Sequence, residues 1–203
     1  MSATVLYMSM SLDGFIAGPN ERLDNGLGDG GECLHEWVFS GGEADESGVP
    51  ARPEGVNGEV YDEMMATGAV VAGRGTFEPA GAWGGDHHDG VPIFILSRRP
   101  TEAEQAQWPL VTYVGEVATA MGRAKEAAGE RNVLVHGAGV AQLALAAGVL
   151  DEIQIHLVPV LLGQGRRLFD HLAAEQIELE RTAAIAAPDG TTHLRYRVGQ
   201  ESR

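Results

Sequence analysis

Strands alternating with helices predict an α/β fold, with a mostly parallel central sheet flanked by helices and an antiparallel C-terminal edge. Three observations support it. Short apolar runs recur along the chain, separated by segments of helical period. Glycine-rich turns close several of those runs. Two strand-like segments around Pro188-Asp189-Gly190 end the chain. With 203 residues, 44% of them apolar, the sequence suits one domain (1–203) with a sizeable buried core.

The elements follow in order. Thr4–Met10 reads as a buried strand turned by Ser11-Leu12-Asp13-Gly14. Gly18–Gly58 is rich in Gly, Pro, Asp and Glu and reads as one long irregular loop, either a lid or a solvated insertion. Within it Cys33–Phe39 is locally apolar, a short helical turn carrying Trp37. Val56–Thr67 puts Val60, Met64 and Thr67 on one helix face and stops at Gly68. The strand Ala69–Ala72 runs into Gly73-Arg74-Gly75-Thr76, with a helix starting near Thr76. Val91–Leu96 closes at Ser97-Arg98-Arg99-Pro100, and Thr101 with Glu104 forms a capping-box pattern for a helix to Gln107.

Leu110–Val114 is a strand, Glu116–Ala128 a helix ended by Gly129, and Asn132–Val135 another strand. Val140–Ala147 is an apolar helix stopped by Gly148. Glu152–Val160 alternates Ile153, Ile155 and Leu157 with Gln154 and His156, which predicts a strand with one less buried face. Gln176–Ile185 and Thr191–Val198 form the terminal antiparallel pair.

Charge narrows the partners. Fourteen basic against 29 acidic residues give a formal charge of −15. A nucleic-acid groove or an anionic membrane surface needs clustered Lys and Arg, so both are excluded as expectations. Cys33 is the sole cysteine, which rules out an internal disulfide and a cysteine metal cage. No run approaches the roughly 20 apolar residues that span a bilayer, and Met1–Met10 lacks a basic leader region. The expectation is a soluble, cytoplasmic protein that acts on a small molecule.

Chemistry is expected at three strand ends: Gly73–Thr76, Ser97–Arg99 and Gly137–Val140. Ligands of open α/β sheets bind outside the carboxyl ends of the strands. Glycine lets backbone approach a pyrophosphate, and helix N-termini attract anions. Each turn alone is ordinarily just a tight turn; three in register argue for a nucleotide site. Ser97, Arg98 and Arg99 stand out in a chain poor in cations, since a hydroxyl and guanidinium groups hold a 2′-phosphate, as in NADPH. Gly137-Ala138-Gly139-Val140 lacks the third glycine of the common dinucleotide fingerprint, and no acidic residue ends a suitable later strand.

Asp86-His87-His88-Asp89 has metal-ligand chemistry, but adjacent residues rarely converge on one ion, so a solvated loop is expected and no metal. His136, Trp37 and Asp13 are substrate-side candidates; packing or turn-capping roles are the alternatives.

Several motifs carry a resemblance. Ser11-Leu12-Asp13-Gly14-Phe15-Ile16-Ala17 resembles the opening of the riboflavin-biosynthesis reductase domain and its stand-alone dihydrofolate reductase-like relatives. Gly73-Arg74-Gly75-Thr76-Phe77 is similar to their G-R-x-T-[FY] turn. Leu150-Asp151-Glu152-Ile153, Pro159-Val160-Leu161-Leu162-Gly163-Gln164-Gly165 and Leu168-Phe169 match their V-D-E-[LI]…P-V-x-L-G-x-G…L-F tract. The resemblance implies a dihydrofolate reductase-like fold that binds NADPH across its strand ends and reduces a small pteridine or pyrimidine. It implies phosphate contacts from Arg74 and Thr76, a 2′-phosphate site at Ser97 and Arg98, and a pyrophosphate passing over Gly137–Val140. It also implies a nicotinamide lined by Ile16, Ala17 and Gly18, and a homodimer using the Ile153–Val160 strand.

His136 departs from the acidic residue that riboflavin-pathway reductases place before the third turn, and Gly137-Ala138 departs from the Gly-Gly of stand-alone relatives. A non-catalytic NADPH-binding regulatory or assembly protein on the same fold is the competing expectation.

Overall fold

The computed structural model describes residues 2–42, 51–172 and 176–199, with Gln105 described by its backbone alone. The chain opens with β1 (Thr4–Ser11) and β2 (Phe15–Ala17), passes a 3-10 turn at Gly31–His35, and enters helix α1 (Gly55–Met65). Then come β3 (Ala69–Gly73), the single helical turn α2 (Arg74–Phe77), β4 (Ile93–Leu96), α3 (Glu102–Gln107) and β5 (Val111–Val114). The second half holds α4 (Val117–Ala128), β6 (Val133–His136), α5 (Ala138–Ala146), β7 (Glu152–Val158), β8 (Arg166–Arg167), β9 (Leu179–Ala186) and β10 (Thr192–Val198).

Eight strands form one sheet in the order β5-β4-β3-β6-β1-β7-β10-β9. The first six lie parallel, while β10 is antiparallel to both β7 and β9. Strand β1 is central, which explains why Val5, Leu6 and Tyr7 are almost wholly buried. Its alternate residues feed two cores. Leu6 and Met8 pack with Ala120, Met121 and Ala124 of α4 and Ala141 of α5. Val5 and Tyr7 pack with Val70, Phe77, Ile93 and Ile95 on the opposite face.

Local chemistry sets the helix ends. Glu116 accepts from the backbone N–H groups of Ala118 and Thr119 at the start of α4, and Gly129 (φ 64°) stops it. Thr101 and Glu104 form the expected capping box on α3. Asp151 ties three elements together: it accepts from Thr4 N–H (2.8 Å) and Thr4 Oγ1 (3.0 Å) and pairs with Lys125 of α4 (2.6 Å).

Two features depart from the sequence reading. The small antiparallel sheet of β2 and β8 is too short to have a periodic signal. The less buried face expected on β7 is buried: Gln154 and His156 are 3% and 2% exposed. The loop after β2 and helix α1 cover that face, with Trp37 on His156 (4.5 Å between ring centroids) and Glu63 accepting from Gln154. Of the long loop expected at 18–58, residues 43–50 lie outside the described residues.

Candidate functional site

The three turns singled out in the sequence meet on one edge. Strands β4, β3 and β6 are neighbours, with Gly73 opposite Leu96 and Ala72 opposite His136, so their turns leave the sheet at one level. Gly137 precedes α5 with φ 92° and ψ 147°, a conformation for which only glycine is suited. A Cβ there would also collide with Thr76 Oγ1. Val140 seats α5 beneath this edge, while the missing Cβ of Gly139 faces open space.

At the β4 end is a cavity of about 430 Å³ lined by Ser97, Arg98, Gly115, Glu116 and Leu143. Arg98 and Arg99 are exposed, and among the described residues neither has an ion-pair partner. Glu116 brings a carboxylate to the same cavity, its oxygens already held by the first amides of α4 and by Thr119.

A larger cavity of about 760 Å³ opens on the other side of Thr76. Its floor is the carboxyl end of the sheet: Tyr7 and Ser9 from β1, His136 from β6 and His156 from β7. Ile16, Ala17, Gly75, Thr76, Trp83 and His87 form one wall; His35, Trp37, Tyr61 and Met64 form another. Trp37 donates its indole N–H to Ser9 Oγ (2.9 Å) and packs against His156 and His193. Trp83 holds a left-handed backbone (φ 48°) and meets Phe77 and His87 edge-on. Tyr7 Oη, His35 Nδ1 and His156 Nε2 are buried polar atoms without a partner among the described residues.

Burial keeps this histidine cluster neutral. It pushes His87 down from 6.5 to about 2, helped by His136 and His88. It pushes His136 down to about 4, helped by His35 and His88 against a backbone bond at Tyr7. His35 and His156 are lowered for the same first cause. The Asp86–Asp89 run is therefore not simply solvated. His88 is 6% exposed and bonded to Thr67, and His87 lines the cavity. Among the described residues no group of His, Cys, Asp and Glu is arranged to hold a metal.

Other predicted residues have structural partners. Arg74 is engaged by Glu78 and Glu104 and lies outside the lining of both cavities, so its guanidinium is already neutralised. Asp13 accepts from Ser11 Oγ (2.6 Å), Leu162 N–H (3.1 Å) and Gly163 N–H (2.7 Å), which clasps the P-V-L-L-G tract to the end of β1. It too lies outside both cavities. Ile16, Ala17, Gly75, Thr76, Trp37 and His136 are brought together around the larger cavity, and Ser97 and Arg98 around the smaller.

With this geometry in view, the profile of the RibD C-terminal domain matches residues 3–192. The chain belongs to the RibD C-terminal domain family. It is 28% identical over 181 residues to the uncharacterized protein YwjB of Bacillus subtilis (strain 168), covering 85% of each chain. A protein assigned to riboflavin biosynthesis from Shewanella sp. PV-4 superimposes with a TM-score of 0.71 at 24% identity, over 98% of this chain and 99% of that one. Dihydrofolate reductase from Enterococcus faecalis, complexed with NADP(H) and RAB-propyl, gives 0.55 at 13% identity over 98% and 97%. The fold of this RibD C-terminal domain is thus dihydrofolate reductase-like, a reductase-type fold. No helix among its described residues is long and apolar enough to cross a membrane.

Tyr7, His35, His156 and Tyr61 line the larger cavity of this RibD C-terminal domain without having been singled out from the sequence, and His87, expected in a solvated loop, joins them. The signal for His156 was present: a titratable residue inside a strand that pairs with the most buried strand of the sheet.

Proposed function

We propose that the chain is an NADPH-dependent oxidoreductase that reduces a small heterocycle of pteridine or pyrimidine type. The observation that carries this is the pair of cavities along one sheet edge, with the glycine turn before α5 between them. The residues suit the cofactor on three counts. Gly139 leaves open space at the N-terminus of α5, which favours a pyrophosphate there, while the Gly137 N–H is donated to Met8 Sδ (3.3 Å). Ser97, Arg98 and Arg99 offer a hydroxyl and two guanidinium groups, unpaired among the described residues, for a 2′-phosphate. Ile16, Ala17 and Gly18 offer a close backbone wall for the nicotinamide, Ile16 and Ala17 at the larger cavity itself. Thr76 lines the larger cavity and packs against Gly137; Arg74, held by acids, orders this turn instead of binding phosphate. When bound, the cofactor supplies the hydride; the chain orients it and keeps water from the floor of the larger cavity.

Glu116 is the competing signal, because a carboxylate favours the free ribose hydroxyl of NADH. Calorimetric titration with NADPH and, separately, NADH decides. Micromolar NADPH binding with clear preference over NADH is expected, and binding of neither removes the reductase reading. A second reading, a non-catalytic NADPH-binding regulatory or assembly protein, is favoured by the lining histidines His87, His136 and His156, which burial pushes well below the range of a proton donor at neutral pH. NADPH binding without its oxidation by any pterin or pyrimidine lactam would select it.

A homodimer is part of the proposal. Ile153 and Ile155 are consumed by the core, so the candidate surface shifts to the partly buried Leu157, Leu194, Tyr196 and Val198 on the same side of the sheet. Localisation in the cytoplasm is likewise proposed, on the single cysteine.

A further inference from the structure

Two histidine pairs border the larger cavity, and both are wired alike. In the first, Asp189 accepts from Asn57 Nδ2 (2.8 Å), which turns Asn57 Oδ1 toward His193 Nε2 (2.9 Å). An amide oxygen only accepts, so His193 Nε2 carries the proton. His193 Nδ1 is then bare and accepts from His156 Nδ1, 2.9 Å away. A neutral His156 protonated at Nδ1 has a bare Nε2, a buried atom with no partner among the described residues. Nδ1 is turned to His193 on β10, and His156 is a lining residue of the larger cavity.

The second pair repeats the logic from another segment. His88 Nε2 lies 3.2 Å from the Thr67 carbonyl and must donate to it. His88 Nδ1 therefore accepts from His87 Nδ1 at 2.7 Å, leaving His87 Nε2 bare. His87 also lines the cavity, and no described residue bonds its Nε2. Tyr7 lines the same cavity, its Oη buried and without a partner among the described residues; burial holds its proton on, so it is a donor. Two acceptors and a hydroxyl donor match the N–H and C=O groups of a lactam edge.

Charge limits the ligand further. Among the described residues of this cavity Arg166 is the one Lys or Arg, and it is paired with Glu21 at 2.9 Å. Asp24 and Glu32 add negative charge. A phosphate monoester would enter with about −1.5 to −2 charges and meet no free cation among the described lining residues.

We propose that the cavity selects an uncharged lactam heterocycle whose N–H groups donate to His156 Nε2 and His87 Nε2, and rejects a phosphorylated one. The proposal rests on the larger cavity being the substrate site. His156 and His87 determine specificity, and His193 and His88 position them.

The full chain is titrated with neopterin, its N3-methyl derivative and its monophosphate, each with and without NADPH. Neopterin is expected to bind at least about tenfold more tightly than either analogue, since leaving a buried acceptor unmet is worth about that factor or more. His156→Phe is expected to bring the N3-methyl derivative to within about threefold of neopterin, because the unmet acceptor is gone. On the unaltered protein, nitrogen-15 spectra are expected to report His156 and His87 as Nδ1–H tautomers, a readout that needs no variant to fold. Equal binding of the three, preference for the monophosphate, binding of none, or Nε2–H tautomers would each overturn the proposal. Failure of NADPH alone to bind leaves these readings intact and overturns only the reductase reading.

Discussion

At the scale of single residues, two side chains carry separable consequences. Arg98 has no acidic partner among the described residues, so Arg98→Ala removes a charge without stranding another. NADPH is expected to weaken by roughly 1.5–3 kcal/mol, the worth of hydrogen bonds to a charged group, while NADH changes little. Equal losses for both cofactors in calorimetry would sink the 2′-phosphate role. His136 carries a pH dependence. Its imidazole falls from 6.5 in the unfolded chain to about 4 in the fold, chiefly through burial. Between those values the unfolded chain binds the extra proton, so stability is full above about pH 6.5 and declines as pH falls toward 4. At pH 5 the loss from this group is roughly 2 kcal/mol. Urea unfolding at pH 7 and pH 5 should therefore differ less in His136→Gln than in the parent chain. The sequence exposed Arg98 because cations are scarce in it. It concealed the histidine network, because periodicity sorts apolar from polar and cannot reveal a polar residue that a distant loop covers. Trp37 and Asn57 lie more than a hundred positions from the His156 and His193 they contact.

At the scale of elements, the turn before α5 is the most exacting. Gly137 combines positive φ with a neighbour, Thr76, that leaves no room for a Cβ. Gly137→Ala should lower stability by roughly 1–3 kcal/mol, read from chemical denaturation, and weaken NADPH more than the stability loss alone explains. An unaltered cofactor affinity would separate this turn from the binding edge. Strands β3, β4 and β6 were legible because each is a short, largely apolar and buried run, β5 because β-branched and aromatic residues make up the whole of this half-buried edge strand, and α4 because its cap, apolar face and terminal glycine agree. Strand β7 was legible as a strand but not in its burial, since alternation ordinarily marks a wet face and here the polar side supplies a cavity floor. The pair β2 and β8 was invisible: five residues in all, held by contacts rather than by pattern.

At the scale of the whole molecule, helices α4 and α5 pack beneath the centre of the sheet and leave Leu194, Tyr196 and Val198 of β10 only partly covered. Size-exclusion chromatography with light scattering should give a dimer, and Leu194→Glu a monomer that still binds NADPH. A parent chain that runs as a monomer would remove the interface. The family motifs also acquire distinct meanings at this scale. Asp151 of the V-D-E-[LI] tract is bonded to Thr4 and Lys125, and the glycine tract is bonded to Asp13, so the most recognisable sequence marks scaffolding. The clasp between Asp13 and Leu162–Gly163 is continued by β2 against β8, where Gly165 sits so close to the Ala17 carbonyl that a Cβ would collide with it. Segments about 150 positions apart therefore behave as one spliced joint. Any chimera that transplants the Ile16–Gly18 wall from a relative must bring its own 159–168 segment, or the imported loop arrives without its mould.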